Sequence, residues 1–67
     1  MKIHVNGEAA HIPSGVESIV QLLEYYQLDP KMVIVERNRA ILEKELYDET
    51  MLEEGDSLEL VHFVSGG

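Results

Sequence analysis

The residues with the plainest chemical potential are the two glycines that close the sequence, Gly66-Gly67, with no charged or polar residue after them. A terminal carboxylate on two residues without side chains can enter a narrow tunnel that any Cβ would obstruct. Directly upstream, Leu58-Glu59-Leu60-Val61-His62-Phe63-Val64 reads as a strand, so the chain looks like a rigid body presenting its own C-terminus as a reagent. Other chemistry is thin. The histidines His4, His11 and His62 lack the spacing of a dedicated metal site, so no metal is expected. There is no Cys, hence no disulfide framework, no Cys-based metal site, and no side-chain thiol to hold sulfur.

Composition sets the frame for that end group. Sixty-seven residues make one domain, and a chain this short buries only about 60% of its unfolded-state surface. Thirteen acidic residues against five basic ones give a net charge of −8. Such a surface repels phosphate backbones and anionic lipid, which excludes nucleic-acid and membrane partners and suits a partner with a basic docking surface. No apolar run approaches the ~18 residues of a membrane span, and no signal-peptide pattern is present, so a cytoplasmic location is expected.

The elements that must position the end group follow in order. Met1 to Val5 alternates as a half-buried strand, Ile3 and Val5 on one face, Lys2 and His4 on the other. Asn6-Gly7 predicts a type I′ hairpin turn, because both central residues need φ > 0. Glu8 to Ile12 returns as the second strand, stopped by Pro13. Ser18 with Gln21 has capping-box spacing, and Ile19, Leu22, Leu23 and Tyr26 form the apolar stripe of a helix ended by Leu28, ahead of Asp29-Pro30. Ser14 with Glu17 is the competing start, disfavoured by Gly15. Met32 to Glu36 reads as a third strand, Asn38 as a turn, and Ala40-Ile41-Leu42 as a fourth strand. Glu43 to Leu52 is an irregular loop or short 3-10 turn anchored by Leu46, Tyr47, Met51 and Leu52, its acids facing water. Tyr25-Tyr26 reads as half core and half helix surface, Met32 and Met51 as gap fillers, and Glu54-Gly55-Asp56 as a turn into the closing strand. That strand pairs in parallel with the first, because a crossover separates them, which makes His4 and His62 neighbours. The result is an α+β fold of β-grasp (ubiquitin-like) architecture: a mixed five-stranded sheet with one helix on one face, a single domain over 1–67 with 64–67 a flexible tail.

With these motifs in order, the sequence resembles the ThiS family of sulfur carriers across essentially its whole length. Val5-Asn6-Gly7-Glu8 resembles the family's opening hairpin and Ser18-Ile19-Val20-Gln21-Leu22-Leu23 its helix start. Val33-Ile34-Val35-Glu36-Arg37-Asn38 resembles its V-x-V-E-x-N strand and turn, and Gly55-Asp56 through Val64 its closing strand before Gly66-Gly67. Ser65 departs from the glycine or alanine of many members, and Glu59 interrupts the apolar closing strand with a charged spot on a partner surface.

The resemblance implies a chemical cycle. An E1-like adenylyltransferase uses ATP to adenylate the Gly67 carboxylate. Sulfur from a donor such as a cysteine desulfurase replaces the adenylate as a thiocarboxylate, and thiazole synthase takes that sulfur for thiamine biosynthesis. The residues agree: the sequence has no phosphate-binding glycine loop, nucleophilic Cys or triad-like set. The chain is thus a protein cosubstrate and not an enzyme, with no cofactor of its own and ATP handled by the partner. Val64 to Gly67 extended reaches about 13–14 Å, and ordering it costs about 1–2 kcal/mol per residue, which docking by the folded body must offset. With Leu58 and Leu60 facing the helix, Val61 and Phe63 cannot both share that face without a bulge. Ile34 joins them on the open face, and with Val64 these form the expected docking surface, Ser65 and Gly66 the tail. The rivals are the small subunit of molybdopterin synthase, a ubiquitin-like modifier conjugated to lysine, and a pure interaction module.

Overall fold

The computed structural model describes residues 1–63. Five strands form one sheet in the order β2-β1-β5-β3-β4: β1 (Lys2–Val5), β2 (Glu8–His11), β3 (Val33–Arg37), β4 (Ala40–Leu42) and β5 (Ser57–His62). The single helix, α1 (Ile19–Tyr25), covers one face, and short 3-10 turns occupy Pro30–Met32 and Lys44–Leu46. β1 and β5 pair in parallel and all other pairs are antiparallel, the arrangement expected of the β-grasp.

The hairpin turn forms as its residues dictate, with φ of 52° at Asn6 and 84° at Gly7. A second turn of the same hand uses Asn38 and Arg39, at φ 51° and 74°. Arginine is an uncommon occupant of that region, which is why only Asn38 is legible as a turn residue.

Helix α1 begins where the capping box places it. Ser18 Oγ accepts from the Gln21 N–H at 3.2 Å, and Gln21 Oε1 accepts from the Ser18 N–H at 3.1 Å. The remaining donors of the first turn are taken by the irregular loop: Ile19 N–H donates to Thr50 O and Val20 N–H to Tyr47 O. No side chain could satisfy all of these orphan groups alone, so the loop is part of the helix's N-terminus.

The helix ends three residues earlier than Asp29-Pro30 requires. Gln27 sits in the left-handed region at φ 61°, and the N–H groups of Gln27 and Leu28 turn back to Glu24 O and Leu23 O. These two bonds make a Schellman motif with glutamine where glycine is usual. Tyr26 therefore leaves the apolar stripe. It and Tyr25 are both exposed, stacked edge to face at 5.3 Å, and neither belongs to the core.

Other boundaries move by smaller steps. Met32 closes a 3-10 turn capped by Asp29, and the third strand runs from Val33 to Arg37. Ile12 lies beyond β2 but is buried, and the closing strand stops at His62. In the irregular loop Tyr47 and Leu52 are buried anchors, whereas Leu46 and Met51 are exposed. Its acids Glu43, Glu45, Asp48, Glu49, Glu53 and Glu54 do face water.

The core comprises Ile3, Ile12, Ile19, Leu22, Leu23, Val33, Val35, Tyr47, Leu52 and Leu58. Each such apolar side chain stabilises the fold by about 1.5–3 kcal/mol relative to exposure. Tyr47 adds a polar function: its hydroxyl donates to Val33 O at 2.8 Å and accepts from Val35 N–H at 3.2 Å. It completes the β3 ladder where β4 has already ended at Leu42. Burial pushes the phenol above its ordinary value, the Val35 hydrogen bond opposing in part. The stability this neutral form contributes is full below the unfolded pKa of about 10 and is lost as pH rises through the higher folded value.

Two expectations follow. Tyr47→Phe keeps the ring but orphans both β3 groups, so urea denaturation should report a loss of about 1–3 kcal/mol; a loss near zero would mean water replaces the hydroxyl. Gln27→Gly relieves the left-handed strain and should stabilise by about 0.5–1 kcal/mol; a destabilised variant would contradict the Schellman assignment.

Candidate functional site

The site consists of the end of β5 and the sheet face beside it. β5 is the central strand, held on both sides. From β1, His4 N–H donates to Asp56 O and Asn6 N–H to Leu58 O, each at 2.8 Å. β1 ends at Val5, but the ladder goes one step further, because Asn6 Oδ1 accepts from Leu60 N–H at 2.7 Å. The turn residue chosen for its positive φ thus also supplies an acceptor to the central strand. On the other side β3 pairs along the length of β5 from Leu58 to His62. The last contact is Phe63 N–H to Met32 O at 3.0 Å.

The start of β5 is fixed by Asp56, which is 5% exposed. Its carboxylate accepts from Arg37 Nε at 3.1 Å and Glu53 N–H at 2.9 Å, with Asn38 Nδ2 at 3.4 Å. Asn38 returns two bonds, accepting from Ser57 N–H and donating its own N–H to Ser57 O. Arg37 also reaches Glu53 at 3.5 Å. Sequence reading takes Asp56 only for a turn residue; a partner nineteen positions away leaves no local signal.

The strand parity expected for β5 is observed. Leu58 is buried and Leu60 packs against the core, while Ile34, Val61 and Phe63 are exposed. Ile34 lies directly opposite Val61 in the β3–β5 pairing, so these two come together on the open face without a bulge. Phe63 sits just past the strand, with Lys44 Nζ 5.1 Å from its ring centroid. Lys44 also donates to Lys31 O at 2.7 Å, bracing the same corner. Val64, Ser65, Gly66 and Gly67 lie outside the described residues.

Ile41, Glu36 and Glu59 also share the open face. Ile41, on β4 opposite Glu36, is 70% exposed, and Glu36 itself lies opposite Glu59. Ile41 looks like a core residue in a short apolar strand; only the register of β4 on β3 turns it outward. The histidines do not gather. His4 belongs to the open face, alternate to buried Ile3, whereas His62 pairs with Val33 on the helix side. There it borders a groove of about 540 Å³ with Tyr26, Leu28 and Leu60. The expectation that His4 and His62 are neighbours is thus corrected: β1 pairs with β5 only at Ser57 and Leu58.

This geometry matches known proteins. The model of the ThiS family matches residues 3–67. The chain is 45% identical over 65 residues to the sulfur carrier protein ThiS of Bacillus subtilis, covering 97% of this chain and 98% of that one. It is 40% identical over 67 residues to a thiazole synthase of Magnetococcus marinus, covering all of this chain but 20% of that protein. The crystal structure of a thiamine biosynthesis protein (ThiS) from Geobacter metallireducens superposes with a TM-score of 0.83 at 30% identity, covering 100% of both chains.

The Asn6 bond to β5 can be tested apart from the turn. Asn6→Gly keeps the positive φ but removes the acceptor, so Leu60 amide exchange should accelerate and stability fall by about 0.5–1.5 kcal/mol. Unchanged protection at Leu60 in hydrogen-exchange measurements would show that the side chain does not extend the ladder.

Proposed function

The chain belongs to the ThiS family, and we propose that it carries sulfur as a thiocarboxylate formed at Gly67. It is a sulfur carrier of thiamine biosynthesis and not a catalyst. In this reading an E1-like enzyme binds ATP and transfers AMP to the Gly67 carboxylate, releasing pyrophosphate. The persulfide of a donor such as a cysteine desulfurase then displaces AMP, and a thiol reductant cleaves the resulting acyl disulfide to release the thiocarboxylate. The carrier supplies no base or nucleophile for these steps. Its contribution is a small electrophile-to-be on a chain segment that slips into another protein's active site, with Ser65 and Gly66 as the approach.

The observation that carries the reading is the position of β5. The segment leading toward Gly67 is the central strand of the sheet, bonded on one side to β1 and Asn6 and on the other to β3. A reagent borne on such a strand starts from a fixed direction, so little orientation has to be won on docking. Ile34, Val61 and Phe63 flank the same exit and, with Val64, offer apolar contact area to offset ordering of the tail. Thiazole synthase is the acceptor, a partnership supported by thiazole synthases that contain a segment like this chain. The protein works in the cytoplasm, where its partners' ATP is available, and binds no cofactor itself.

Intact mass spectrometry tests the proposal. After incubation with ATP, the adenylating enzyme and a sulfur donor, the mass should rise by the difference between sulfur and oxygen, located at Gly67 by fragmentation. A variant with one residue appended after Gly67 should keep its circular dichroism spectrum and lose all activation. Sulfur accepted by the extended chain, without trimming, would rule the mechanism out.

A further inference from the structure

The open face of the sheet carries an arrangement that folding alone does not account for. β3 and β5 pair so that Glu36 lies directly opposite Glu59, both on the side away from the helix because Val35 and Leu60 take the inward positions. Like charges placed directly opposite across an antiparallel pair destabilise it. Neither carboxylate has an ion-pair partner among the described residues, where the salt bridges join Arg37 to Glu53 and Asp56. The surroundings are apolar. The next pair on the same face is Ile34 with Val61, and across β4 the neighbour of Glu36 is Ile41. These three are 39%, 50% and 70% exposed. Two mutually repelling carboxylates thus stand within an exposed apolar strip that crosses three strands.

We propose that this face docks on thiazole synthase through apolar side chains that cover Ile34, Ile41 and Val61 and one arginine whose guanidinium bridges Glu36 and Glu59. The proposal rests on the carrier reading and adds to it the chemistry of the partner's surface. An arginine fits because its planar fork donates to two carboxylates at once, where an ammonium acts as a single point of charge. Glu36 and Glu59 face each other in the free carrier, and a cation placed between them relieves their repulsion. Docking therefore recovers free energy that the isolated domain lacks, and the strongly acidic chain is steered toward the basic spot. Thiazole synthase is chosen because a segment like this chain is part of longer thiazole synthases, which keeps such a domain beside that catalytic surface.

The test is calorimetric titration of the wild-type chain and of the Glu36→Gln/Glu59→Gln double variant into thiazole synthase from the same organism, at low and high salt. The variant should bind about tenfold more weakly or worse at low salt, with a smaller salt dependence. Its Tm should be equal to or above that of the wild type, because the repulsion is gone. Unchanged affinity, no binding by the wild type, or a weakened variant with a lowered Tm would each overturn the proposal. So would a double variant altered only in self-association by sedimentation, which would make a second copy the occupant. Sulfur gain at Gly67, measured on the same preparations by mass, reads the carrier function separately. A wild type that gains sulfur while the variant docks unchanged sinks the surface proposal alone, and a wild type that docks but never gains sulfur sinks the carrier reading.

Discussion

The structure depends on one pairing, the parallel contact between β1 and β5. Without it the sheet separates into the β1–β2 hairpin and a three-stranded β5-β3-β4 sheet, and an isolated hairpin is marginally stable at best in water. The contact is short, two residue pairs and the Asn6 side chain, yet it sets β5 at the centre of the sheet. Ile3, Leu58, Val33 and Val35 then lie side by side beneath the helix, and their burial supplies the cohesion that the few hydrogen bonds could not. Parallel strands need a crossover. The helix belongs to that crossover, and this is the physical reason that it covers one face and leaves the other open.

At the exit end of the sheet two side chains continue what the backbone leaves unfinished. Asn6 extends the ladder of β1 onto β5, and the Tyr47 hydroxyl does the work of a longer β4 on β3. The flanking strands stop short, and the irregular loop braces the corner beside Phe63 through Lys44. Two side chains thus supply hydrogen bonds that longer flanking strands would otherwise make.

Much of this was legible in the sequence because it is local or periodic. The Asn6-Gly7 turn, the Ser18–Gln21 capping box and the alternation in β5 each rest on residues within a few positions of one another, and the structure agrees with all of them. What escaped is what needs a distant partner or an unusual occupant. Gln27 in a left-handed cap ends the helix before Asp29-Pro30 can, and glutamine gives no warning of it. Asp56 is buried by an arginine on β3, and Ile41 is turned outward by strand register. On the open face Ile34, Val61 and Phe63 could be placed by parity alone. The opposition of Glu36 and Glu59 could not, since it requires the register between two strands separated by the fourth strand and the irregular loop.

The central place of β5 has a consequence for how the chain comes into being. It is the last element in sequence order and the middle one in space. A ribosome delivers β1 through β4 first, and until Ser57–His62 emerges neither hairpin has the neighbour that closes the core. Synthesis interrupted before that strand leaves Ile3, Val33 and Val35 uncovered, a state that proteases and chaperones remove. Completion of the fold therefore waits for Ser57–His62, and chains that stop short of that strand lack the centre of the sheet.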